Sequence, residues 1–195
     1  MSFPTMGIVC DRCDYRMSFT ELAGRRVYAD ADGEVEMGVW FGWCRECGEL
    51  RPVESFGDAG RLVKEVEEAL AELMASSPGL GRIRWHGPGR RRRDAAAAET
   101  VRAAVRRLAL AVERRGTERC LHCGSRDITP FDGKVDLEYD TGLGTFVGRC
   151  PSGVHHPGCG GEFIVVPETA RCSLVPKKWI YSRDGLLMEQ VVLED

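Results

Sequence analysis

The stretch "GRCPSGVHHPGCGGEF", residues 148–163, packs two cysteines, two histidines and five glycines into sixteen positions. Two ligand sets are open to it. Cys150 and Cys159 have eight residues between them, whereas His156 and Cys159 have two, the spacing at which a tight turn aims both side chains at one ion. Which set binds metal, and whether the metal performs chemistry or holds the chain together, decides how the rest of the sequence folds.

The chain has 195 residues and nine cysteines, and eight of these fall into a repeated frame. The first set is Cys10-x2-Cys13, a gap of 30 residues, then Cys44-x2-Cys47. The second is Cys120-x2-Cys123, a gap of 26 residues, then Cys150 and Cys159. Paired Cys-x-x-Cys units suit tetrahedral Zn2+, because thiolates converge on the ion while backbone N–H groups point at the sulfurs. Aligning "FGWCRECGELRPV" with "VGRCPSGVHHPGCGGEFIVVP" places Gly42-Trp43-Cys44 over Gly148-Arg149-Cys150 and implies a six-residue insertion in the second copy. That repeat favours Cys150 as the fourth thiolate, with His156 as the alternative ligand. The expectation is two structural Zn2+ per chain, one held by Cys10, Cys13, Cys44 and Cys47, the other by Cys120, Cys123, Cys150 and Cys159.

On these motifs, residues 5–56 and 117–167 each resemble a zinc ribbon. The resemblance implies a small antiparallel sheet beneath two knuckles that clamp one structural ion. It also implies use as a binding module for nucleic acid or protein, and it identifies no specific family.

Between and beyond the cysteines, β-branched and aromatic residues in "RRVYA", "EVEMGVWFGW", "KVDLEY" and "TFVGR" predict strands, and "WIYSRDGLLMEQVVLE" predicts a hairpin added to the second ribbon. Residues 58–76 place Leu62, Val63, Val66, Ala69, Leu70, Leu73 and Met74 on one helical face. Residues 94–115 do the same with Val101, Ala104, Val105, Leu108 and Val112, with Asp94 as N-cap and Gly116 as the stop. An acidic first helix and a basic second one favour side-by-side packing. The fold class expected is α+β: a ribbon over 1–56, a helical hairpin over 57–116 and a second ribbon with its added hairpin over 117–195.

Residues 77–93 carry six arginines and no acidic group in a chain whose net charge is −3. Within this Gly- and Pro-rich loop, Arg82, Arg84, Trp85, Arg90, Arg91, Arg92 and Arg93 are the candidate contacts to a nucleic acid or an acidic protein. The N-terminus lacks the basic start and apolar core of a secretory signal, and no apolar run is long enough to span a bilayer. The expected location is the cytoplasm, where cysteines serve metals more often than disulfides. Cys172 has no partner at knuckle spacing and reads as a small buried side chain.

No catalytic residue is expected. The zinc-deaminase pattern, H-E-x-x-H, G-x-S-x-G and the P-loop are all missing, and four thiolates leave an ion no open position. The function expected is a non-enzymatic zinc protein presenting a surface to a protein or nucleic-acid partner, with the helical hairpin offering a face for homo-oligomerisation and no membrane contact. The alternatives are a nucleic-acid-binding regulator using the arginine loop, and a zinc enzyme or redox sensor in which His156 replaces a thiolate and opens the second site.

Overall fold

A computed structural model describes residues 2–30, 33–76, 88–173 and 177–193. Along these the chain forms β1 (Ser2–Cys10), β2 (Arg16–Ser18), β3 (Arg25–Asp30), β4 (Gly33–Cys44), β5 (Glu49–Ser55), α1 (Ala59–Ser76), α2 (Pro88–Arg114) and β6 (Ile128–Pro130). There follow β7 (Glu138–Asp140), β8 (Thr145–Val147), β9 (Cys150–His155), β10 (Glu162–Ser173), β11 (Lys177–Tyr181) and β12 (Leu187–Val192). The fold is α+β, with a two-helix hairpin inserted between strand-rich regions. Among the described residues no helix is long and apolar enough to cross a membrane.

The sheets draw on both ends of the chain. One has the order β2-β1-β10-β9, and β1 runs antiparallel to β10 from Ser2↔Ser173 to Cys10↔Phe163. The other has the order β12-β11-β3-β4-β5, with β6 added alongside β4, while β7 and β8 form a separate hairpin. The C-terminal hairpin therefore forms around its Arg-Asp-Gly turn but docks elsewhere than expected: β11 lies parallel to β3, with Trp179 opposite Arg26. The strand expected over 134–139 shortens to β7. Phe131 is buried, and the chain after it is pinned by isolated backbone bonds, Phe131 N to Phe41 O at 2.9 Å and Lys134 N to Ser152 O at 2.9 Å.

Period-two alternation in β4 sends its odd residues inward. Val35 and Met37 join Tyr28, Phe56, Leu62, Leu110, Leu121 and Tyr181 in a cluster capped by the helices. Phe41 and Trp43 join Ile8, Met17, Leu50, Phe131, Phe163 and Val165 in a second cluster beneath the four-stranded sheet. One strand face thus serves two cores.

The helices depart from their predicted faces. α2 begins at Pro88, six residues before Asp94, so Asp94 is no cap and the backbone of Arg90–Arg93 is helical rather than looped. Proline suits the first helical position and arginine is a good helix former. Arg82, Arg84 and Trp85 lie outside the described residues. Val63, Leu70, Met74, Val105 and Val112 are exposed, and α2 turns Leu110 and Arg114 inward instead. Arg107 pairs with Glu65 at 3.2 Å, joining the basic helix to the acidic one as expected.

The inward turn of α2 brings Arg114 to Glu54. Glu54 on β5 is 2 % exposed and Arg114, at the end of α2, is 4 % exposed. Arg114 Nε lies 3.6 Å from Glu54 Oε1, while the Glu54 carboxylate accepts from Tyr28 Oη–H and from Arg119 N–H at 3.1 Å. The Arg114 guanidinium also stands 5.6 Å over the Tyr28 ring.

Burial outweighs the pull of Arg114 and raises the Glu54 carboxyl from 4.5 to about 7. The folded state keeps a proton that the unfolded chain releases between those values. This stabilisation is full below about 4.5 and is lost as pH rises towards 7. Across this window the native protein should lose on the order of 2–3 kcal/mol relative to Glu54→Gln, read from denaturant melts of both at several pH values. Parallel melts would show that Glu54 is ionised throughout.

Candidate metal centres

The knuckles meet in pairs taken from distant parts of the chain. At the first centre, the turn after β1 brings Cys10 and Cys13 to the turn between β9 and β10, which carries His156 and Cys159; their ligand atoms all lie within 4.8 Å of one another. Cys10 Sγ is 3.4 Å from Cys159 Sγ, and Cys13 Sγ is 3.6 Å from Cys159 Sγ. His156 Nδ1 is 3.3 Å from Cys13 Sγ and 3.1 Å from Cys159 Sγ. The imidazole is only 9 % exposed, ringed by Tyr15, Trp43 and Phe163 with centroids at 5.1, 5.0 and 5.2 Å. Core packing therefore fixes which way Nδ1 points.

Two backbone features hold this centre. Asp11 locks the first knuckle to β10: its N–H donates to Glu162 O at 3.1 Å, and its Oδ1 accepts from Glu162 N–H at 2.8 Å. Gly161 lets the two turns touch, since a Cβ there would fall 2.6 Å from both Cys10 Sγ and Asp11 Oδ1.

The second centre joins Cys44 and Cys47, from the turn between β4 and β5, to Cys120 and Cys123. Cys44 Sγ lies 3.5 Å from Cys123 Sγ and Cys47 Sγ lies 4.0 Å from Cys120 Sγ. The chain around Cys120 is clamped against β5 by Leu121 N–H to Pro52 O at 2.9 Å and Glu54 N–H to Arg119 O at 3.0 Å. β6 then pairs with the end of β4, Cys44↔Ile128, closing the other flank.

Three of the four knuckles share one local geometry. Gly48, Gly124 and Gly160 each follow the second ligand with φ of +68°, +74° and +69°, and each donates its N–H to the carbonyl of the first ligand residue, at 2.9, 2.8 and 2.8 Å. A positive φ at this position suits glycine, so the Cys-Gly dipeptide is a conformational requirement.

The donor sets fit a metal. Burial, joined by the neighbouring thiols, pushes Cys47 up, and burial pushes Cys120 up to about 11. Four thiolates this close need a cation to offset desolvation and mutual repulsion. A tetrahedral ion at about 2.3 Å from each sulfur separates the sulfurs by about 3.8 Å, which the observed separations bracket. Each centre has a buried and an exposed side: Cys10 and His156 are buried and Cys13 and Cys159 exposed at the first, and Cys44 and Cys120 are buried, Cys47 half-buried and Cys123 exposed at the second.

All four knuckles are thus used, but not in the pairing read from the sequence. Cys10 and Cys13 do not meet Cys44 and Cys47, and Cys120 and Cys123 do not meet Cys159. Cys150 lies outside both clusters; its Sγ is 3.6 Å from Pro151 O, and its side chain packs against the core beneath the first centre. Gly160 N–H bonds to His156 O just as Gly48 N–H bonds to Cys44 O, so His156 occupies the place that the repeat gave to Cys150. The "HPGCG" signature carried this: only His156 completes ligand-x2-Cys-Gly. Nothing in the spacing foretold the exchange of partners. Cys172 is half-buried on β10, apart from both clusters.

Compared with known proteins, the chain matches no family model, no curated protein and no solved structure.

Elemental analysis of Cys150→Ser should return the same metal content as the native chain, whereas His156→Ala should lose about one equivalent, from the first centre. Cobalt-substituted protein should show two ligand-field spectra, one from three sulfurs with a nitrogen and one from sulfur ligands alone. Retention of both equivalents in His156→Ala would remove His156 from the ligand set. Gly161→Ala should weaken the same centre as His156→Ala and spare the other.

Proposed function

We propose that this chain is a non-enzymatic zinc-binding interaction protein whose two Zn2+ ions are structural and hold its surface in shape for a partner. The carrying observation is the closure of each centre by four protein ligands from turns far apart in sequence: Cys10 and Cys159 are separated by 149 positions, Cys44 and Cys123 by 79. Four such ligands fill a tetrahedral ion and favour a structural over a catalytic role. Zinc rather than a harder cation follows from the thiolate-rich donors. Ion binding then contributes directly to folding free energy.

The partner-facing feature is arginine. Arg90–Arg93 follow one another on the first turns of α2, directly after the segment containing Arg82, Arg84 and Trp85. An acidic partner, protein or nucleic acid, answers this charge.

A second reading, a redox-responsive first centre, is favoured by the exposure of Cys13 and Cys159, whose sulfurs stand 3.6 Å apart. Hydrogen peroxide would convert the two thiolates to a disulfide, giving water and releasing the ion.

Chelation should unfold the native protein cooperatively, with zinc restoring its circular dichroism; a chelator-stripped chain with native spectrum and melting would overturn the structural role. For the partner surface, changing Arg90–Arg93 to alanine should abolish capture of the partner that nuclease-treated pull-downs recover with native protein. If capture disappears on nuclease treatment alone, the partner is nucleic acid, and labelled oligonucleotides should then bind with a salt slope that falls in the variant.

A further inference from the structure

A cleft of about 500 Å3 opens between the β3–β11 seam and the loop carrying His122. Arg26, Arg51, Lys177 and His122 line it, and among the described residues Glu21 is its only acidic lining residue. Arg51 is already answered by Glu49 and by Glu21, the latter at 3.6 Å. Arg26 is different. It is 4 % exposed and donates to backbone carbonyls, Leu22 O at 2.9 Å, Ala23 O at 3.3 Å and Glu21 O at 2.5 Å. No carboxylate lies within ion-pair distance of it among the described residues.

The parallel register that sets Arg26 opposite Trp179 stacks its guanidinium 5.2 Å over the indole, and Lys177 Nζ stands 5.7 Å over the same ring. Arg26 Nε, Arg51 Nε and Trp179 Nε1 are buried without a protein acceptor. A buried cation without a counter-ion and buried N–H groups without acceptors are costly unless something else answers them. In a chain of net charge −3, a concavity lined by Arg26, Arg51 and Lys177 concentrates positive charge in one place.

We propose that the cleft binds a small organic anion: a phosphate or carboxylate on a flat apolar body no larger than a mononucleotide. The anion faces Lys177 and Arg26, displacing the Lys177 ammonium from the Trp179 ring. The body lies against the apolar wall formed by Pro52, Leu121 and Leu187. The site is independent of the arginine-bearing segment of α2 and of the partner reading.

Cys172, which also lines the cleft, serves as a reporter. Zinc-loaded protein is titrated calorimetrically with AMP, phenyl phosphate and benzoate, with adenosine and phenol as uncharged counterparts. Alkylation of Cys172 by iodoacetamide is followed by peptide mass spectrometry under the same conditions. At least one anion should bind saturably and slow Cys172 alkylation about fivefold or more, its uncharged counterpart should not, and the anion that binds tells phosphate from carboxylate. Lys177→Glu should weaken that anion at least tenfold while the melting temperature and zinc content stay native. Binding of none of the three anions, equal binding of the uncharged compounds, or unchanged affinity in Lys177→Glu would each overturn the proposal.

Discussion

The meeting of four ligand side chains at one point, two from each of two distant turns, is the constraint on which the molecule rests. Ionising a thiol cluster as tight as Cys44, Cys47, Cys120 and Cys123 is unfavourable without a cation, because burial and mutual repulsion both oppose it. With an ion bound, the same crowding becomes four strong bonds. The entropic cost of closing the large loops rises only logarithmically with length, so tying Cys10 to Cys159 costs little more than tying neighbouring hairpins. The β1–β10 ladder supplies the register that makes the first tie reproducible, and the flank of β4 and β5 does so for the second.

The two centres are not equivalent. The second lies where β5, β6 and the 119–121 segment converge, and its Cys44 and Cys120 are buried. The first sits at the end of the four-stranded sheet with two exposed thiols, and its histidine is the side chain that reaches into the core. That imidazole couples metal and packing. The Tyr15, Trp43 and Phe163 rings that orient it surround the same aromatic cluster that joins the two sheets. Loss of an ion held at the first centre would therefore unsettle the core contact of His156.

Much of this was legible in the sequence, and the failures have definite causes. Cys-x2-Cys-Gly marks a turn whose glycine must take positive φ, a local requirement that sequence displays directly at Gly48 and Gly124. The same local rule selects His156 and Cys159. The internal repeat obscured it, because the strand pattern matches at Gly148-Arg149-Cys150, where β9 begins, rather than at the turn that ends it. Which knuckle meets which depends on β1 pairing with β10 and on β6 joining β4, long-range contacts that leave no trace in spacing. Hydrophobic periodicity found both helices yet misjudged the inward face of α2, because that face carries an ion pair, Arg114 with Glu54, as well as Leu110.

The cleft and the second centre are parts of one construction. Leu121 and His122, which wall the cleft, are the two residues between the ligands Cys120 and Cys123. Arg51 and Pro52 stand a few residues beyond Cys47, and Pro52 accepts the Leu121 N–H that fixes this wall. The opposite wall comes from β11, the strand that docks beside β3 rather than joining the sheet nearest to it in sequence. An ion bound at the second centre would therefore preorganise one side of the cleft, and a ligand bound in the cleft would brace the knuckle that holds the ion. Because linkage between two binding events is reciprocal, whatever the metal contributes to ligand affinity the ligand returns to metal retention.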